Sequence, residues 1–193
     1  MEDGVQSVRS VVEEGALGGA VQRAADRRGS RVAVHRQHHE PGSPACRRCK
    51  GGPTLQAIGR SRGGATTKVH LVVDALGLPL AFEVTEGQRH DIVPAPGLVT
   101  RTQPRCLLGD KAYSTHSFRE HLAALGCEAV IPSSSSWIDA PAYDKQVYKA
   151  RTEVECTFNL LKQARRFATR YEKTLRNYAA VVAVGCVLLW LRI

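Results

Sequence analysis

Two acidic residues stand where a carboxylate could hold a cation, Asp110 and Glu155. Asp110 follows the apolar run Arg105 to Leu108 and Gly109, so it emerges at the carboxyl edge of a sheet. Ligands and metals gather at that edge in open α/β sheets. The same position also suits an ordinary turn or helix-capping aspartate. Glu155 belongs to a stripe in which Tyr148, Arg151, Glu155 and Lys162 fall at i, i+3, i+7 and i+14. At about 100° per residue these share one helix face, with Glu155 and Lys162 roughly 20° apart. Such a stripe can be a solvated face laced with salt bridges. The opposite face carries Val154, Phe158 and Leu161, which anchor the helix and leave its polar side free to act.

A second cluster, His35, His38, His39, Cys46 and Cys49, contains Cys-x2-Cys with nearby histidines and superficially matches zinc ligation. A structural zinc needs ligands posed by a folded unit, and this segment has no sustained period of two or of 3.6, so no zinc is expected there. The other cysteines, Cys106, Cys127, Cys156 and Cys186, read as small core fillers in a reducing cytoplasm.

The elements that must position Asp110 and Glu155 begin after Gly51-Gly52-Pro53. Thr67 to Val73 reads as a strand, Asp74 to Gly77 as a turn, and Leu80 to Thr85 as the antiparallel partner. A short helix over Asp91 to Thr100, interrupted by Pro94 and Pro96, leads to a strand at Arg105 to Leu108. A helix over Ser117 to Leu125 stops at Gly126, and Glu128 to Ile131 is a further strand. The serine run 133–136 is a loop. One long helix spans about Tyr143 to Arg166, and a last helix runs from about Leu175 to the end. Hairpin, helix, strand, helix, strand, long helix is the α/β order of an RNase H-like domain lacking its first strand. Before this, the pattern predicts poor order, with a weak helix around Val5 to Val21.

The chain has 193 residues and a formal charge of +9, enough for one domain with a core and a surplus that attracts a polyanion such as nucleic acid. The first residues are acidic and broken by glycine, unlike a secretory signal. Ala179 to Ile193 is apolar but short for a membrane span and reads as a buried core helix.

Tyr-x2-Arg-x3-Glu-x6-Lys, met at Tyr148, Arg151, Glu155 and Lys162, resembles the signature of bacterial insertion-sequence DDE transposases. Gly59-Arg-Ser-Arg-Gly-Gly64, Thr67-Lys-Val-His70, Gly87-Gln-Arg-His-Asp91, Asp110-Lys-Ala-Tyr113 and Ala164-Arg-Arg-Phe-Ala-Thr-Arg-Tyr171 are similar to the IS-five group, from about Leu55 to the C-terminus. The resemblance implies an RNase H-like catalytic domain that transposes DNA by metal-dependent strand cleavage and transfer. It implies an Asp, Asp, Glu triad around two Mg²⁺ ions, with Asp110 as the second Asp and Glu155 as the Glu. In that frame Lys162, supported by Arg151 and Tyr148, holds a terminal phosphate. His70, His90 and Asp91 line the site or serve structure. Arg60, Arg62, Lys68, Arg165, Arg166 and Arg170 contact the DNA backbone. Element-end and target DNA are the implied partners, a homodimer is allowed, and no membrane is involved.

The chain departs from the family pattern where the first Asp belongs. Val34-His-Arg-Gln-His-His39 stands in place of a strand reading like Ile-Asp-Ser-Thr. Asp26 lies too far away in an arginine-rich run, and Asp74 lies in the hairpin turn. A one-base shift of reading frame lets His35 to His38 read Ile-Asp-Ser-Thr, Ser43 to Lys50 read His-Gln-His-Ala-Ala-Gly-Ala-Arg, and Ser10 to Val12 read Arg-Trp-Ser. Residues 1–52 are therefore expected to be an out-of-frame segment, with 53–193 a partial catalytic domain that is defective in catalysis. A gene whose shifted frame has no Asp codon across Arg36 rules this out. The alternative is a non-catalytic DNA-binding remnant that competes with intact transposase.

Overall fold

The structure is a computed structural model that describes residues 30–38 as a paired strand, together with residues 52–61, 64–133, 137–138 and 141–192. The weak helix at Val5 to Val21, residues 134–136 of the serine run, Asp26, Arg62 and the residues His39, Cys46 and Cys49 lie outside the described residues, as do the side chains of His35 and His38.

Among the described residues the strands form one six-stranded mixed sheet. They are β1 (Ser30–His38), β2 (Gly59–Ser61), β3 (Gly64–Val73), β4 (Pro79–Glu86), β5 (Cys106–Leu108) and β6 (Glu128–Val130). β3 is the longest and pairs antiparallel on both sides, with β1 along one edge and with β4 and β2 along the other. β1 pairs parallel with β5, and β5 with β6. The expectation of a missing first strand is thereby corrected. Ser30–His38 occupies the centre of the sheet, with Val34 opposite His70 and Arg36 opposite Lys68. Its alternation is too polar and too rich in Arg and His to be legible as a buried strand from the sequence, and its two neighbours supply the hydrogen-bonding edges that hold it.

The hairpin forms as the sequence predicts, because Gly77 adopts φ 80° and the Asp74 carboxylate accepts from Leu76 N and Leu78 N at 2.8 and 2.9 Å. Helices α1 (Gly52–Leu55), α2 (Ala95–Thr102), α3 (His116–Ala124), α4 (Lys145–Lys149), α5 (Thr152–Lys162), α6 (Arg165–Ala168) and α7 (Leu175–Trp190) cover the sheet. The prolines displace α2 toward its C-terminal half, and Gly126, at φ 68°, stands just past the end of α3. The single long helix expected over Tyr143 to Arg166 is instead three short ones. Ala150 and Arg151 form a turn between α4 and α5, and Ala164, extended at ψ 110°, separates α5 from α6.

Alternate residues of β3 feed opposite faces of the sheet. Val69, Leu71 and Val73 pack with Val154, Phe158 and Leu161 of α5, Phe167 of α6, and Tyr178, Val182, Cys186 and Leu189 of α7. Val72 packs on the other face with Leu98 and Val99 of α2, Phe118 and Leu122 of α3, Leu107 and Tyr113. Cys127 and Cys186 are core thiols, each pushed up to about 12 by burial. Cys156 corrects the expectation of a core role, because it lies on the outer side of α5 and is exposed. α7 is only half a core helix, with Val184 and Leu188 exposed. No described helix is long and apolar enough to cross a membrane.

Candidate functional site

β1, β5 and β6 run parallel, so the loops that leave β5 and β6 emerge at one edge of the sheet. Asp110 stands there, immediately after β5 and Gly109. It is half-buried and extended at ψ 174°, and its Oδ1 accepts from Ala112 N at 2.8 Å, capping a 3-10 turn at Lys111–Tyr113. Both sequence readings of this residue are thus realised in part, a capping aspartate at the carboxyl edge of a sheet.

Tyr113, one turn on, is buried, and its hydroxyl has no hydrogen-bond partner among the described residues. Burial, and after it the negative charges of Asp91 and Asp110, hold this phenol well above its ordinary range. It stays protonated, a donor within the electrostatic reach of both carboxylates. Asp91 is itself ion-paired with Lys68, whose ammonium also donates to the Arg89 carbonyl at 2.6 Å. Beside Lys68 on the same face, His70 pairs with Thr85 Oγ1 at 2.7 Å. Burial chiefly lowers the His70 pKa to about 4; Asp91 opposes the shift, and Lys68 and Arg89 add to it.

Lys68 corrects one expectation, because its side chain is 4% exposed and committed to Asp91, and it has no surface to offer a DNA backbone. Arg170 corrects another. It is buried, donates to Thr67 Oγ1 at 2.8 Å and to the Glu172 carbonyl at 3.0 Å, and lies over the Tyr178 ring. His90 is exposed in the turn before Asp91.

Glu155 stands on α5, which covers the face of the sheet opposite α2 and α3. This helix buries Val154, Phe158 and Leu161 and packs against β1, the strand beside β5. Glu155 is exposed, and its Oε1 accepts from Arg151 at 2.6 Å, while Arg151 lies 5.9 Å from the centre of the Tyr148 ring. Tyr148, Arg151 and Glu155 are therefore brought together as their spacing predicts, despite the break between α4 and α5. Lys162 ends α5 and is half-buried; Arg60, Arg165 and Arg166 are exposed, and Arg166 lies 3.7 Å from Glu172. Among the described residues no three His, Cys, Asp or Glu side chains converge as metal ligands.

Sequence reasoning missed the Lys68–Asp91 pair, the Tyr113 phenol and a ring stack at the same edge. His116 opens α3 and stacks on Trp137 from the loop after β6, at 3.9 Å and 8° between planes. A tryptophan between serines and an aspartate was a readable signal, since a large ring in a polar loop needs a partner.

Comparisons with known proteins bear on these residues directly. Residues 30–137 match the Transposase DDE domain family, and residues 107–192 match a second family of the same description. The first match begins at β1, the strand that the sequence alone did not reveal. The chain is 38% identical over 129 residues to a protein of Brucella ovis described as a transposase for insertion sequence element IS6501, covering 66% of this chain and 99% of the relative. A transposase described for element IS402 of Burkholderia cepacia is 29% identical over 188 residues, covering 91% of this chain and 85% of the relative. A piggyBac transposase in a synaptic complex with hairpin DNA is similar over 70% of this chain, with a TM-score of 0.39 and 10% identity. The chain spans 32% of that protein, a likeness too distant to carry an argument. The chain belongs to the transposase DDE domain family.

Proposed function

We propose that this chain is an insertion-sequence transposase of the IS-five group with an RNase H-like catalytic domain, one that binds DNA but cannot complete cleavage and strand transfer. The fold reading is supported by the strand order, in which three antiparallel strands continue through β1 into two parallel ones. The observation that carries the defect is β1 itself. It lies next to β5, where a first carboxylate would face Asp110, and Ser30–His38 contains neither Asp nor Glu.

Divalent metal use is general in the family, but the donors here do not fit two cations. One Asp110 oxygen is committed to a backbone amide, and Glu155 is ion-paired with Arg151. No third acid is present in β1. Two octahedral Mg²⁺ ions need more oxygen ligands than this set offers. Asp110 and Glu155 are the catalytic and metal positions of the family reading. Tyr148, Arg151, Lys162, Arg60, Arg165 and Arg166 remain the proposed DNA contacts, with His70, His90 and Asp91 as supporting residues. Residues 1–52 as an out-of-frame segment, and a role competing with intact transposase, belong to the same reading. DNA affinity with no catalysis is the chemistry that such a competitor needs.

The test uses duplex DNA in low salt with Mg²⁺ or Mn²⁺. Binding is expected, weakening steeply as salt rises, with a shallower salt slope for Arg165→Gln/Arg166→Gln. No nicked product is expected. Metal-dependent nicking by the unaltered chain overturns the defect, and absence of any DNA binding overturns the functional reading.

A further inference from the structure

We infer that two copies of this chain join edge to edge along β4, with the outer faces of their α7 helices meeting beside the joined strands. β4 is a long edge strand, Pro79–Glu86, and among the described residues it pairs with β3 alone. Gly87 N donates to the Thr66 carbonyl at 3.0 Å, so alternation along the ladder turns the N–H and C=O groups of Phe82 and Val84 away from β3. Among the described residues no backbone group answers them. A free edge of this kind is a template for a further strand. Its protections are confined to one end: Pro79 opens the strand, the bulge lies opposite Val72 and Val73, and β4 carries no Lys or Arg.

Charge selects the second copy as the occupant. The chain carries +9, yet the charged residues of β4 are Glu83 and Glu86, and α7 has none from Asn177 onward. A polyanion gains nothing on this flank, and two basic chains repel each other least there. Antiparallel pairing of identical strands is two-fold symmetric. A register centred on Phe82 sets Glu83 opposite Ala81 of the second copy, which keeps the two glutamates from facing each other. The two-fold axis then stands normal to the sheet, so both α7 helices stay on one face. α7 belongs to this flank, because Trp190 Nε1 donates to the Pro79 carbonyl at 2.8 Å, and Phe82 and Val84 pack with the core that holds the inner side of the helix. On its outer side Val184, Val187, Leu188 and Leu191 form an exposed apolar stripe at i, i+3, i+4 and i+7. The strand edge supplies hydrogen bonds and register, and the stripe supplies apolar burial. One strand and one helix face make a small interface, so a weak, reversible dimer is expected.

Sedimentation equilibrium of the full chain without DNA tests the dimer independently of the DNA-binding reading. The mass should rise with concentration from 21.0 kDa toward twice that value. Leu188→Lys/Leu191→Lys changes exposed residues and should weaken the dimer by roughly tenfold or more while leaving the monomer folded. Val84→Pro removes an outward N–H and should weaken it to a similar degree; if circular dichroism shows that this variant is unfolded, the helix variant decides alone. Leu125→Lys, exposed at the end of α3, is the control and should leave the mass curve unchanged. A monomer up to the solubility limit overturns the proposal. If the Phe82 and Val84 amides of that monomer are nonetheless protected from hydrogen exchange, the edge belongs to another segment of this chain. A dimer that neither variant weakens overturns it as well, because the copies would be joined elsewhere, and loss in the helix variant beside a folded, fully dimeric Val84→Pro overturns the strand pairing.

Discussion

Around Asp91, at the scale of single residues, the polar groups are arranged to hold charge states rather than to exchange protons. Lys68 is buried in an ion pair with Asp91, and His70 is buried beside them as a neutral imidazole with its pKa lowered to about 4. An unfolded histidine titrates near 6.5, so between about pH 6.5 and 4 the unfolded chain binds a proton that the folded chain refuses. Stability from this group is full above pH 6.5 and falls as the solution is acidified through that window. The expected loss is roughly 2 kcal/mol by pH 5. Urea unfolding at pH 7.5 and pH 5 measures it, and His70→Gln should flatten the difference. The same slope in both proteins would refute the burial argument.

At the scale of elements, α5 is held over the sheet partly by the β3–β4 turn. Thr157 Oγ1 donates to the Gly77 carbonyl at 2.6 Å, and Gly77 needs φ 80° to present it. A Cβ added at Gly77 would come within 2.9 Å of that same hydroxyl. Gly77→Ala should therefore cost roughly 1–3 kcal/mol from left-handed strain and a displaced hydrogen bond, read as a lowered urea midpoint at unchanged slope. Gly97→Ala is the control, because nothing lies within 4 Å of its added Cβ. The break between α4 and α5 leaves the Arg151–Glu155 pair intact, since Arg151 is itself the N-cap of α5, in helical conformation, and Glu155 follows it by four residues.

At the scale of the whole molecule, β1 is the strand on which the sheet depends. It joins the antiparallel part, β2 to β4, to the parallel pair β5 and β6. Without it the buried edges of β3 and β5 lose their hydrogen-bond partners, and the two halves of the core share no strand. A chain truncated to residues 53–193 should show no cooperative unfolding transition, whereas the full chain should. A cooperative transition in the shorter chain would mean that β1 is dispensable and the sheet can close without it. The same centrality explains why an acid-free β1 matters for function, since the strand best placed to face Asp110 has none to contribute.

What the sequence determined by itself was local in origin. The hairpin follows from Asp74 and Gly77, α3 from Thr115 and Gly126, and the Tyr148, Arg151, Glu155 grouping from helical period. Each needs only interactions within a few residues, and each was legible for that reason. The tertiary structure alone decided the rest. It placed an Arg- and His-rich segment as the central strand and turned Lys68 and Arg170 inward onto distant partners. It also put Asp91 beside Lys68 and set Trp137 on His116. Those outcomes depend on contacts between residues far apart in the chain, whose energies appear only once the sheet has brought them together, and no spacing rule encodes them.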